Sequence, residues 1–230
     1  MLNKTKILLA ITLICSLFVP FLIVLFNAKI LIMDENFYHS EFKKYGVYSS
    51  LKNNDADKLN RDVLYYINSE KNSLPDFFIQ REKQHLEDVR YVFQKAQLLL
   101  VLSYEILLIY FIAVLLFIRD LKKTAFYSAL TVSLGCAVAL FMLLIILVPI
   151  KFNFGLSFDK FHSAFFNQGT YTFNPAVEKI VVLYPEGLFY DAGIRIVLNS
   201  ILTAFILLVL GFVIMWFTRR TETKVINNQD

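Results

Sequence analysis

Cysteine is nearly absent from this chain of 230 residues. The two that occur, Cys15 and Cys136, both lie inside apolar runs. The polar segments therefore hold no disulfide, no cysteine-based metal site and no thiol nucleophile. Charge is scarce as well. Only 18% of residues are charged, and a net charge of +4 is too small and too dispersed for a nucleic-acid surface. His-Glu-x-x-His, a glycine-rich phosphate loop and any nucleotide-binding pattern are missing, which leaves zinc protease, ATPase and dinucleotide readings without support. No cofactor, nucleotide or nucleic-acid partner is implied. Ser157 and Lys160 match the Ser-x-x-Lys spacing of some serine acyl-enzymes, but the Ser-Asp-Asn and Lys-Thr-Gly partners of that chemistry do not occur.

Apolar residues make up the balance. Hydrophobic residues are 57% of the chain, with 23 Phe and 12 Tyr against 1 Trp. The mean hydropathy of +0.56 lies outside the soluble globular range. Four runs are long enough to span a bilayer: residues 7–26, 96–118, 125–150 and 196–217. Pro20 is the only breaker in the first. A cleaved signal peptide fits that run poorly, because its apolar part is too long and no small-x-small site follows.

The chain is thus expected to be an α-helical membrane protein of eight segments. These are a first helix within 1–26, a polar section at 27–95, a helix at 96–118, a link at 119–124, helices at 125–150 and 196–217 around a polar section at 151–195, and a tail at 218–230. The three short segments (1–6, 119–124 and 218–230) hold 8 basic residues, and the other 15 are spread over the two long sections. Dense positive charge on short segments marks the cytoplasmic side. Both termini are expected inside the cell, with the two long sections forming one outward cap.

That cap reads as small and mixed α/β. Asn53-Asn54-Asp55-Ala56-Asp57 predicts a loop ending in a helix N-cap, and Leu59, Val63, Tyr66 and Ile67 continue with helical period. Residues 42–48 around Gly46, and the β-branched run 177–184 before Pro185, predict short strands. Ser157 is the expected N-cap of a short aromatic helix carrying Phe158, Phe161, His162, Phe165 and Phe166. Residues 221–230 read as a frayed polar tail.

The chemistry points to Gln80-Arg81-Glu82-Lys83-Gln84-His85-Leu86-Glu87-Asp88-Val89, which runs unbroken into the second span. At helical spacing Glu82, His85 and Asp88 fall on one face, an imidazole between two carboxylates at the mouth of a membrane, suited to general-base work. The alternative is a solvated charged turn preceding a span. His162 lies among phenylalanines that oppose its protonation, and it serves either as a neutral proton acceptor or as filling in an interfacial helix. The two histidines are expected to converge, because the short link makes the second and third spans antiparallel neighbours. His39 has no supporting pattern and is assigned to structure. Glu105, inside the second span, is a candidate for lining a polar cavity, or a hydrogen-bond partner of Ser103 and Tyr104.

With His85-Leu86-x-Asp88-Val89, Phe161-His162-x-x-Phe165-Phe166 and Leu183-Tyr184-Pro185 in this order, the chain resembles the bacterial lipoprotein intramolecular transacylases over essentially its whole length. The family is one of small four-span proteins of the bacterial plasma membrane with an extracytoplasmic cap. The resemblance implies a lipoprotein substrate in the outer leaflet whose N-terminal Cys carries a diacylglyceryl group. It also implies transfer of the sn-2 acyl chain to the α-amino group of that Cys, with His85 and His162 as the catalytic pair. Glu82, Asp88, Tyr184 and Glu105 are assigned as supporting residues on the reading of this sequence alone, and membrane lipid is the second expected partner. Two other readings fit the residues: a metal-dependent lipid hydrolase built on two histidines and a carboxylate, and a non-enzymatic lipid- or partner-binding membrane protein.

Overall fold

The computed structural model describes residues 4–52, 54–166 and 171–227, and side chains up to residue 220. The chain forms α1 (Lys4–Ser16), α2 (Phe18–Ile32), α3 (Glu35–Lys44), α4 (Val47–Leu51), α5 (Ala56–Ile67), α6 (Gln80–Ile118), α7 (Leu121–Phe152), α8 (Phe154–Phe165), α9 (Ile180–Leu183) and α10 (Glu186–Asn227). Four stretches are long and apolar enough to cross a membrane: Lys4–Ile32, Gln80–Ile118, Leu121–Phe152 and Glu186–Arg220. Two compact units result, one of residues 1–26, 99–145 and 197–230, the other of 27–98 and 146–196.

The membrane unit is held by small residues and a few internal hydrogen bonds, as helix packing in lipid requires. Pro20 has no N–H to give the carbonyl of Ser16, and the helix breaks at Leu17 between α1 and α2. Gly135 of α7 packs into this break. A Cβ there would lie 2.5 Å from the Ser16 carbonyl oxygen and 2.4 Å from the Val19 Cβ. Tyr110 of α6 links two other helices, with its hydroxyl 2.9 Å from Thr12 Oγ1 and accepting from Thr131 Oγ1 at 2.7 Å. The link between α6 and α7 is only Arg119 and Asp120. Arg119 turns the chain at φ 55°, and the Asp120 carboxylate caps α7 by accepting from the amides of Lys122 and Lys123.

The second unit has its own core, in which Phe42, Val47, Leu64, Leu183 and Leu188 are closed from solvent. The mixed α/β expectation is corrected here, because no strand occurs among the described residues. Residues 42–48 divide between two helices. Asp34 caps α3 by accepting from the Asn36 amide, and Gly46, at φ 67°, separates α3 from α4. The β-branched run 177–184 has no strand to pair with. Instead the Glu82 carboxylate accepts the Ile180 amide and starts α9. Strand propensity expresses fit to a neighbouring strand, so without one it decides nothing.

The cap of α5 is Asp55, which accepts from the Lys58 amide, as expected; Asn53 lies outside the described residues. The cap of α8 is Asn153, accepting from Leu156, and Ser157 sits within the first turn. The expected frayed tail is helical through Asn227, and residues 228–230 lie outside the described part.

Candidate active site

His85 sits in the second turn of α6, ahead of the apolar stretch that begins at residue 96. The helix starts where it does because Glu82, its third residue, reaches back to accept the Ile79 amide at 2.7 Å, half of a capping box. His162 sits in the last turn of α8. The two imidazoles face each other with ring centroids 6.3 Å apart and planes inclined by 21°. The rings are close enough that one small reacting group meeting an in-plane nitrogen edge of each is served by both.

Aromatic side chains enclose the pair. Phe166 lies 5.0 Å from the His85 ring and 5.3 Å from the His162 ring. Phe173 meets His85 edge-on at 5.2 Å, Tyr171 lies 5.2 Å from His162, and Phe158 backs His162 at 4.0 Å. His85 is 7% and His162 8% exposed. Burial, and then repulsion from His162 whenever that ring is protonated, lowers the pKa of His85 to about 4. His85 is therefore neutral at physiological pH.

The two rings differ in their hydrogen bonds. His162 Nδ1 lies 2.8 Å from the Phe158 carbonyl oxygen. A carbonyl only accepts, so Nδ1 carries the proton and neutral His162 presents a bare Nε2. His85 Nδ1 is enclosed with no partner among the described residues. An unpaired lone pair is tolerated in such a place more readily than an unpaired N–H. This assigns the His85 proton to Nε2.

The two carboxylates expected to flank His85 differ in what they do. Glu82 is fully enclosed, and its second oxygen accepts the Ile180 amide at 2.7 Å, so one side chain caps both α6 and α9. It does not orient an imidazole. Asp88 is half-buried and makes no described hydrogen bond to His85. The Tyr184 hydroxyl donates to Asn60 Oδ1 at 2.9 Å, and burial, then Tyr38, raises its pKa well above the usual range. Two phenylalanine rings, Phe189 and Phe158, intervene between Tyr184 and His162. Glu105 is exposed, 20 positions beyond His85 on α6. His39, on α3, bonds Tyr48 and Asp57. Among the described residues no three His, Cys, Asp or Glu side chains form a metal-binding group.

Sequence reasoning missed Arg81 and Glu178. Arg81 Nη1 donates to Glu178 Oε1 at 2.7 Å and Nη2 to the Thr172 carbonyl at 2.6 Å. Its one readable signal is position, four residues before His85 on the same helical face.

A family model described as "Lipoprotein intramolecular transacylase Lit" matches residues 13–189, which include both histidines. The in meso structure of the membrane integral lipoprotein intramolecular transacylase Lit from Bacillus cereus matches with a TM-score of 0.77 at 20% identity, covering 94% of this chain and 100% of that one. A structure of that protein with an H85R mutation gives a TM-score of 0.74 at 20% identity over 95% of this chain and 96% of that one. One with an H85A mutation gives 0.70 at 20% identity over 94% and 97%. Comparison with curated proteins gave no match. At this identity the structures establish the shared fold. The family model, covering most of the chain, establishes more: this protein belongs to the lipoprotein intramolecular transacylases and is an acyltransferase of the membrane.

Proposed function

We propose that His162 is the proton shuttle and His85 the oxyanion donor in moving an acyl chain from the sn-2 oxygen of a lipoprotein's diacylglyceryl group to the α-amino group of the same N-terminal Cys. The observation that carries this is the pair itself, with His162 Nδ1 on the Phe158 carbonyl and His85 Nδ1 without a partner among the described residues, from which the bare and the protonated Nε2 are assigned. An α-ammonium group has a pKa of about 7.7–8.0, so a fraction of substrate is already the free amine at neutral pH. That amine attacks the ester carbonyl and gives a proton to His162 Nε2. His85 Nε2–H donates to the oxygen that becomes negative. Collapse breaks the bond to the glycerol oxygen, which takes the proton back from His162. An amide and a free sn-2 hydroxyl result, with atoms and charge balanced. Nucleophile and ester share one molecule, so holding them in register supplies much of the rate.

The enclosure favours this chemistry, since a nearly dry site strengthens hydrogen bonds to a developing charge and excludes water that would hydrolyse the ester. We place the protein in the bacterial plasma membrane, with both termini cytoplasmic and the histidine-bearing unit outward, on the distribution of basic residues. Glu105 is assigned no step.

The test is mass spectrometry of a lipoprotein's N-terminal peptide from cells expressing His85→Ala, His162→Ala or both. All three are expected to leave the diacylglyceryl form, and the double variant is expected to lose no more than the worse single, as for groups acting in one step. Full conversion by either single variant at normal protein level refutes the assignment.

A further inference from the structure

Residues 171–178 run past the two histidines and contribute two of the rings that enclose them, Tyr171 on His162 and Phe173 on His85. The segment has no helix or strand up to α9: one turn, closed by the Val177 and Glu178 amides on the Asn174 carbonyl, is its only described backbone pairing, and side chains hold the rest. Arg81 holds it from α6 at three points: the Glu178 carboxylate, the Thr172 carbonyl, and the Phe173 ring, over which the guanidinium lies at 5.2 Å. Glu178 is 3% exposed, and its other oxygen accepts the Asn174 amide at 2.6 Å. Arg81 is one helical turn before His85. The clasp and the imidazole are therefore fixed on the same rigid element.

We propose that Arg81, through Glu178 and the Thr172 carbonyl, is a positioning residue for the acyl transfer, holding the 171–178 strap so that its two aromatic rings keep both imidazoles dry and aligned. The proposal rests on the two-histidine reading above. Arginine suits the task because its planar fork serves two acceptors at once while its face covers a ring, and a lysine ammonium cannot do all three. Titratable groups in the surroundings are His162 on α8, Tyr171 and Glu178 on the strap, and Arg81, Glu82 and Asp88 on the helix of His85. Loosening the strap admits water to His85 and returns its basicity toward that of a free imidazole.

The experiment uses purified full-length protein in lipid vesicles with a synthetic diacylglyceryl lipopeptide, and follows kcat and KM between pH 5 and 8.5. Arg81→Ala strands the Glu178 charge in an enclosed place and invites misfolding. The primary variant is therefore the double Arg81→Gln, Glu178→Gln, which removes both charges together, and Arg81→Lys keeps the ion pair alone. We expect the double variant to fold, to lose about tenfold or more in kcat as misaligned groups do, and to show the His85 imidazole titrating closer to the ordinary value of about 6.5, read by NMR of 15N-labelled histidine. Arg81→Lys is expected to fall between it and the parent. A folded double variant with the parent's kcat and His85 titration overturns the proposal, as does a kcat loss with that titration unmoved. A double variant that does not fold while Arg81→Lys keeps the parent's rate and His85 titration also overturns it. His85→Ala in the same assay separates the two readings: if it retains activity the two-histidine mechanism fails, whereas if only the strap variants are silent this inference alone fails.

Discussion

A neutral imidazole with a pKa near 4 binds a proton less readily in the folded chain than in the unfolded one, where its pKa is about 6.5. The sign follows directly. The stability tied to neutral His85 is fully present above about pH 6.5 and is lost as pH falls toward 4, in total roughly 3 kcal/mol. Thermal unfolding of the purified protein in detergent is expected to show a lower midpoint at pH 4.5 than at pH 7.5, and His85→Phe, which keeps a ring in the aromatic enclosure, to shrink that difference. An unchanged difference would assign the acid sensitivity elsewhere. Glu82 makes a second expectation. Glu82→Ala leaves the enclosed Ile180 amide unpaired and removes the cap on the Ile79 amide, and with charge-assisted bonds worth about 1.5–3 kcal/mol each, a loss of about 3 kcal/mol is expected. A variant that keeps its unfolding midpoint yet loses turnover would return Glu82 to the chemistry. The histidines were legible because they are rare and stand in an aromatic or membrane-proximal setting. The duty of Glu82 was not, since spacing gives its helical face but not the helix start it caps.

Helices of the membrane unit follow from composition, and their contacts follow from the smallest residues. Gly135→Ala drives a methyl against the Ser16 carbonyl and Val19, backbone and β-carbon that have little room to shift. It is expected to lower the unfolding midpoint. Gly193, within α10, has nothing within 4 Å of where its Cβ would lie. There, Gly193→Ala removes a poor helix former and gains up to about 1 kcal/mol. Shifts of opposite sign in the two variants check this account, and shifts of one sign contradict it. The spans were readable from sequence because lipid imposes one rule over some twenty residues. The short elements of the other unit were not. Residues 177–184 look like a strand by local preference, and a carboxylate 98 positions away converts part of them into a helical turn.

At the scale of the whole molecule, the basic residues predict a sided protein. Asn54→Cys is expected to react with a membrane-impermeant maleimide in intact cells, and Lys122→Cys only after the membrane is opened. The reverse labelling would turn the histidine-bearing unit toward the cytoplasm and remove the lipoprotein reading. The two native thiols bear on more than this test. Cys15 is 8% and Cys136 0% exposed, both within the membrane unit, and neither is paired. Accessible free thiols invite oxidation and crosslinking, and this chain keeps its own two buried. For spectroscopy the protein is thus its own blank. Probes placed singly or in pairs on the histidine-bearing unit report without prior removal of native cysteines, and the position of the 171–178 strap becomes measurable in the unaltered background.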